Sequence, residues 1–220
     1  MNSNKTCVQN VNKVLNPLKT SVILRKVLNK SEEVVHKMVI ESNGHSIGDQ
    51  FIELCYKMAE KALTCGEVPV GCVFVNFGDD KSGSVVASGH NRTNATKNAT
   101  RHAEIECIDA IVDRYGPDLD QLHEIMAETT VLLTLEPCLM CVRALRLLRV
   151  KQVLFGAKNE RFGGFDSVYN VSSNPLISDP ILNCYQMLDS NKSIELLQDF
   201  YRQSNESAPK PHRKRLKTDQ

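Results

Sequence analysis

The stretch RHAEIECIDA, residues 101–110, sets His102, Glu104, Glu106 and Cys107 within six positions, each of a type that binds metal or moves a proton. About 36 residues beyond His102, EPCLMC supplies Cys138 and Cys141 as a close C-x-x-C pair. In a reducing compartment such a pair reads as metal-binding or redox. Zinc in a catalytic site takes three protein ligands, commonly thiolate and imidazole, and keeps one position open for water. Three residues apart on a helix turn, Cys138 and Cys141 put both sulfurs on one side. Pro137 suits the start of that helix, where its missing N–H does no harm. The unpaired N–H groups and the dipole at a helix start also favour the thiolates a metal needs.

Two cysteines leave one ligand and one proton carrier to find. At i and i+2, His102 and Glu104 point about 200° apart within a regular helix, which makes them poor partners mid-helix. At a first turn the objection weakens, with His102 at the cap and Glu104 reaching across to the same centre. The metal then activates water, and Glu104 moves its proton to a ring nitrogen and on to a leaving amine. H-x-E followed by P-C-x-x-C matches the zinc nucleobase-deaminase signature, an association known for that group rather than derivable from spacing. A closed zinc knuckle or a redox dithiol is the competing reading, but a closed site requires a fourth Cys or His in register. Cys107 is the nearby candidate. It stands more than a turn along from His102, beside Ile108 and Ile111, and reads as a packed core thiol, while Glu106 reads as helix surface.

The elements around these residues set where they go. Helical spacing of Phe51, Leu54, Cys55, Met58, Ala62 and Leu63 predicts a helix over about Gln50–Cys65, ended by Gly66 and Pro69. VGCVFVN (70–76) and SVVASGHN (84–91) predict a hairpin across FGDDKSG. After the polar loop RTNATKNAT, the pattern predicts a helix over His102–Tyr115 and a buried strand over 129–135. A helix over 138–148 and a strand over 151–157 follow. The order ββ, α, β, α, β predicts a three-layer α/β domain with helices covering a mixed sheet. NERFGGFDSVYNVSSNP (159–175) reads as irregular, with a last helix near Lys192–Tyr201.

The 220 residues suffice for one catalytic-sized core, here expected over 47–203. Residues 1–46 read as a disordered extension, with one Arg and without the amphipathic stripe of a targeting peptide, or as sequence upstream of a start at Met38. Residues 204–220 read as a disordered basic tail. No run of about 18 uncharged apolar residues is present, so neither membrane insertion nor secretion is expected. The net charge of +1 is unevenly spread: residues 1–31 hold six Lys/Arg and no acid, and 208–217 hold five and no acid. Residues 32–207 carry the remaining 16 basic residues against 25 acidic ones, a balance of −9. A body of this charge does not grip nucleic acid by itself, so the ends or a partner must supply the attraction to a polyanion.

GEVPVGCVFV, GHNRTNATKNATRHAEIECIDA and LTLEPCLMCVRALRLLRVKQVLFGAKNERFGGFDSV together resemble the catalytic subunits of eukaryotic tRNA-specific adenosine deaminases, over about residues 50–205. NATRHAE and NERFGG make the likeness far more specific than the zinc signature alone. The resemblance implies a three-layer αβα cytidine deaminase-like fold around a central mixed five-stranded sheet. It implies a Zn²⁺ cofactor, conversion of adenosine to inosine at the tRNA wobble position, and residence in the nucleus and/or cytoplasm. It also implies a heterodimer with a related subunit that has lost its catalytic glutamate. Residue by residue, His102, Cys138 and Cys141 match the zinc ligands and Glu104 the proton shuttle. Asn91, in GHNRT, matches an asparagine that hydrogen-bonds the flipped base, and Val70 falls in a pocket-wall segment. Taken alone, Asn91 reads as a turn residue and Val70 as core. Phe162 and Phe165, beside Gly163-Gly164, read either as an RNA-stacking or pocket-closing element or as a turn with two core aromatics. KPHRKRLK (210–217) reads as a tRNA-phosphate contact, a nuclear localisation signal or a solvated tail. A deaminase of free bases and a non-enzymatic RNA-binding subunit are the alternatives; Glu104 argues against the second.

Overall fold

The computed structural model describes residues 47–78 and 82–203. The expected N-terminal extension, the basic tail and three residues of the hairpin loop lie outside the described residues. The first helix, α1 (Asp49–Thr64), buries Phe51, Cys55, Tyr56, Ala59 and Ala62 on one face, the three-and-four spacing of an amphipathic helix. Leu54, Met58 and Leu63 are only half-buried. Gly66 closes the helix at φ +71°, the left-handed conformation glycine adopts without a Cβ penalty.

Strands β1 (Gly71–Asn76) and β2 (Ser84–His90) form the predicted hairpin, followed by a single-turn helix α2 (Thr93–Thr96) inside the polar loop. Then come α3 (Ala103–Tyr115), α4 (Leu119–Ala127), β3 (Thr129–Leu135), α5 (Leu139–Leu147), β4 (Gln152–Ala157), β5 (Asn183–Gln186) and α6 (Ser190–Arg202). The five strands form one sheet in the order β2-β1-β3-β4-β5. The β2–β1 and β1–β3 pairs are antiparallel, and the β3–β4 and β4–β5 pairs are parallel. The mixed sheet of the three-layer expectation is therefore present.

Strand alternation divides the core. Cys72, Phe74, Val131, Leu133, Val153 and Phe155 face one side, where Cys107 and Ile111 of α3, Leu122 and Met126 of α4, and Val142 and Leu145 of α5 pack. Val73, Val75, Leu132 and Leu154 face the other, against Phe51, Cys55 and Tyr56 of α1. α6 joins that second layer through Leu196.

Three elements were absent from the pattern reading of the sequence. α4 is nine residues long and is started by Asp118, whose carboxylate accepts from the Asp120 and Gln121 N–H groups. α2 is a single turn without a buried residue. β5 is a four-residue edge strand with only Cys184 fully buried, too short for a period to show. The irregular stretch before it is held from beneath by Arg146. Its buried guanidinium donates to the carbonyls of Val171, Asn174, Ile177, Asp179 and Pro180.

Candidate active site

The topology gathers one end of the sheet. Because β1 runs antiparallel to both neighbours, its start lies beside the end of β2 and the end of β3: Gly71 pairs with His90 and Cys72 with Leu133. Parallel β4 ends beside β3, with Leu135 opposite Ala157. Val70, Asn91, Glu136 and Asn159, each just outside a strand, are thus neighbours although far apart in sequence. They line a cavity of about 540 Å³ together with Val68, His102, Glu104, Leu135 and Cys138, a volume within the usual range for small-molecule sites. Lys158, Arg161 and Phe162 stand on one wall, and Ile194, Leu197 and Tyr201 of α6 complete it.

Two helix starts meet in this cavity. His102 is the N-cap residue of α3 and Cys138 that of α5, both with extended backbone and neither capping with its own side chain. Both side chains are therefore left for other work. His102 Nδ1 lies 3.5 Å from Cys138 Sγ and 3.6 Å from Cys141 Sγ. The three donor atoms all lie within 4.8 Å of one another, the one such grouping among the described residues. With metal–sulfur bonds of about 2.3 Å and metal–nitrogen bonds of about 2.0 Å, tetrahedral zinc holds neighbouring S and N donors about 3.5 Å apart. The triad fits that ion, and three donors leave the fourth position open.

The electrostatics agree with a cation site. Cys138 is pulled down to about 4, first by a hydrogen bond from Cys141 and, against the cost of burial, by His102 and the Cys141 backbone N–H. Cys141 moves far up, because it keeps the proton it donates to Cys138 and is buried. His102 is raised, chiefly by its bond to Cys138, with burial opposing. Glu104, in the first turn of α3 and 3% exposed, is raised to about 7 by burial and then by the negative charge of Cys138. A carboxyl of that affinity both accepts and returns a proton near neutrality.

Asn91 takes over the capping that His102 does not perform. Its Oδ1 accepts the Ala103 N–H at 2.8 Å, and its own N–H donates to the Val70 carbonyl at 3.3 Å. With Oδ1 committed, the side-chain NH₂ is the donor Asn91 offers to the cavity it lines. Val70 is 7% exposed and contributes its side of the wall.

The remaining members of RHAEIECIDA lie elsewhere. Glu106, its side chain only 12% exposed, pairs with Arg101 at 2.5 Å and Arg92 at 3.4 Å rather than lying open on the helix surface. Cys107 is fully buried, its thiol directed at the Cys72 carbonyl at 3.7 Å, and is not part of the triad. The two phenylalanines of RFGGF divide: Phe165 packs edge-on against Phe155 of the core, while Phe162 is 54% exposed on the cavity wall with the Arg161 guanidinium over its ring.

Two buried acids that sequence reasoning missed each hold a separate segment in place, and Glu136 also lies in the cavity lining. Glu67 and Glu136 are each 1% exposed. Glu67 accepts from Thr93 Oγ1, Asn94 N–H and Ala95 N–H, which holds α2 in place. Burial acts to raise Glu136, but the Ser167 hydroxyl and the Asn159, Asp166 and Ser167 N–H groups outweigh it, so its carboxyl lies below the usual range. The single signal in the sequence is an acid at the end of an apolar strand, which does not announce partners 23 to 31 residues away.

The profile of the cytidine and deoxycytidylate deaminase zinc-binding region matches residues 46–157. The tRNA-specific adenosine deaminase 2 of Danio rerio is 42% identical over 157 residues, 71% of this chain and 71% of that protein. The tRNA-specific adenosine deaminase subunit tad2 of Schizosaccharomyces pombe is 38% identical over 167 residues, 76% of this chain and 40% of that one. Among solved structures, one from work on A-to-I editing by tRNA:A34 deaminases at the wobble position of transfer RNA superposes with a TM-score of 0.59 at 30% identity. It covers 68% of this chain and 100% of its own. A guanine deaminase from Nitrosomonas europaea, at 16% identity and TM-score 0.54 over 73% of this chain and 90% of that one, shares the fold.

Proposed function

The chain belongs to the zinc-binding cytidine and deoxycytidylate deaminase family, in its tRNA-specific adenosine deaminase branch, and from that premise we propose that it converts the wobble adenosine of tRNA to inosine. It acts as the catalytic member of a heterodimer with a related, catalytically inactive subunit, in the nucleus and/or cytoplasm. The observation that carries the reading is the His102–Cys138–Cys141 triad with buried Glu104 beside it, in a cavity where Asn91 presents an amide donor. No helix among the described residues is long and apolar enough to cross a membrane.

His102 Nδ1, Cys138 Sγ and Cys141 Sγ hold Zn²⁺, which when bound supplies Lewis-acid activation of water. Glu104 takes a proton from the water that attacks C6 of adenine and delivers it to ring N1, then takes the second proton from the new C6 hydroxyl and gives it to the amine as the C6–N6 bond breaks. The balance is adenosine plus water to inosine plus ammonia. Asn91 orients the base through its side-chain NH₂, and Val70 presses on the ring. A wobble base in an anticodon loop is already accessible, which reduces the cost of bringing it into the cavity.

The test is to incubate the chain, alone and with its partner, with a tRNA bearing a wobble adenosine and measure inosine. Inosine at that position is expected; activity on free cytidine with none on tRNA would overturn the assignment. Glu104→Gln should lower kcat by about 10²–10⁴-fold while the chain keeps its zinc. Substantial residual turnover would remove Glu104 from its role.

A further inference from the structure

The loop that carries Arg161 and Phe162 onto the cavity wall has no regular secondary structure of its own, and its attachment is concentrated on one side chain. Glu136 Oε1 accepts the N–H groups of Phe165 at 3.2 Å, Asp166 at 3.0 Å and Ser167 at 3.2 Å. Oε2 accepts the Asn159 N–H at 2.9 Å and the Ser167 hydroxyl. Both oxygens are thus committed, and neither is left to meet a substrate. The loop also runs along the start of α5: Leu139 N–H donates to the Phe162 carbonyl at 3.1 Å, and Gly164 N–H to the Pro137 carbonyl at 2.9 Å.

The two glycines of RFGG are there to permit this approach. A Cβ at Gly163 would lie 2.5 Å from Glu136 Oε1 and 2.7 Å from the Asn159 carbonyl. One at Gly164 would lie 2.9 Å from Val142 Cγ2 and 3.0 Å from the Leu139 nitrogen. The backbone therefore wraps the carboxylate, as anion-binding turns wrap theirs.

The geometry points to Glu136 as a positioning residue for substrate binding: by gathering residues 159–167 around its carboxylate it sets Asn159, Arg161 and Phe162 at the cavity wall, where they meet the RNA flanking the reacting base. This rests on the functional reading above for the identity of the substrate. An exposed aromatic ring beside a guanidinium is a stacking surface with a cation for the backbone. Such a surface works only when held in place, and bonds to an ionised group are the strong kind. Although Glu136 lies in the cavity lining, the hydrogen bonds of its carboxylate go to residues 159–167 and none to the triad, so its removal acts on binding ahead of chemistry.

The experiment compares the full chain with Glu136→Gln and Ser167→Ala, each with its partner. In E136Q the amide nitrogen replaces one acceptor and faces N–H donors. The expected result is a KM for tRNA raised roughly tenfold with kcat changed far less and one zinc per chain retained. Amide hydrogen exchange over 159–167 is expected to quicken while the strands stay protected. S167A, which removes a single bond, is expected to move KM and exchange in the same direction by less. A kcat loss at unchanged KM, loss of zinc, or unaltered exchange over 159–167 in both variants would overturn the proposal. Failure of the unsubstituted heterodimer to form inosine overturns the functional reading instead, whereas the exchange measurement judges the hold of Glu136 on the loop by itself.

Discussion

Asn91 does two jobs with the two ends of one amide, and they are separable by substitution. Its oxygen caps α3 at Ala103, and its nitrogen is the donor in the proposed site. Asn91→Asp keeps an acceptor for the helix N–H, so stability is expected to stay within about 0.5 kcal/mol of the original while deamination falls at least about tenfold. Asn91→Ala removes both ends and is expected to lose about 1 kcal/mol as well as activity. Urea unfolding and inosine formation on the same samples check this, and an active N91D would remove the donor from the mechanism. The triad makes a second expectation at this scale. Zinc held by the triad would have to displace the Cys141 proton, which the hydrogen bond to Cys138 and burial make hard to remove. Zinc affinity should therefore rise with pH, by up to about tenfold per unit for each proton displaced. Chelator competition between pH 6 and 8 measures it, and a flat profile would contradict proton displacement. The gathering of His102, Cys138, Cys141 and Glu104 was legible because histidine and cysteine are few in the chain, six and eight of 220, and stand here at helix starts, with Glu104 two positions from His102. Glu67 and Glu136 were not, because what they bind is mostly backbone N–H in loops remote along the chain, and backbone carries no residue signature.

The layer that closes the cavity depends on one close approach between elements. A Cβ on Gly156 of β4 would lie 2.3 Å from Ser193 Oγ on α6 and 2.7 Å from the Thr134 carbonyl. Ser193 is held there by the Asp189 carbonyl at 3.0 Å and Tyr56 Oη at 3.2 Å, so α6 has little room to move away. Gly156→Ala is expected to cost about 1–3 kcal/mol and to displace the helix that supplies Ile194, Leu197 and Tyr201 to the wall. Combining it with Ser193→Ala removes the nearer clash and leaves the one with Thr134. The double variant should therefore be more stable than the sum of the singles allows. Additive urea-unfolding energies would show that α6 does not rest on this contact. The long elements were legible in the sequence because period and punctuation agree, as in α1 with Gly66 behind it. α4 escaped although Asp118 is a sound cap, since nine residues with two buried positions barely show a stripe. β5 escaped because an edge strand beside an irregular stretch has no alternation to read.

Charge is a property of the whole molecule, and it runs against the proposed substrate. Residues 32–207 balance at −9 from 16 basic and 25 acidic side chains, while residues 1–31 and 208–217 add six and five cations without an acid. At the cavity wall the cations are Lys158 and Arg161, and Lys158 is already paired with Asp166 at 3.3 Å. A polyanion drawn to this cavity must therefore be attracted from outside it, by the chain ends or by the partner subunit. The basic tail, which lies beyond the described residues, is the more densely charged of the two ends, with five cations in ten positions. Each phosphate contact adds roughly 0.7 to 0.9 to the slope of log affinity against log salt. Deleting residues 208–220 should thus weaken tRNA binding by the heterodimer and flatten that slope, by about 4.5 at most if all five cations meet phosphates. Zinc content and the urea midpoint should stay as they were, because the triad and the core are built from residues 47–203. Affinity and salt slope left unaltered by the deletion would assign the attraction to the partner subunit or to the N-terminal end instead.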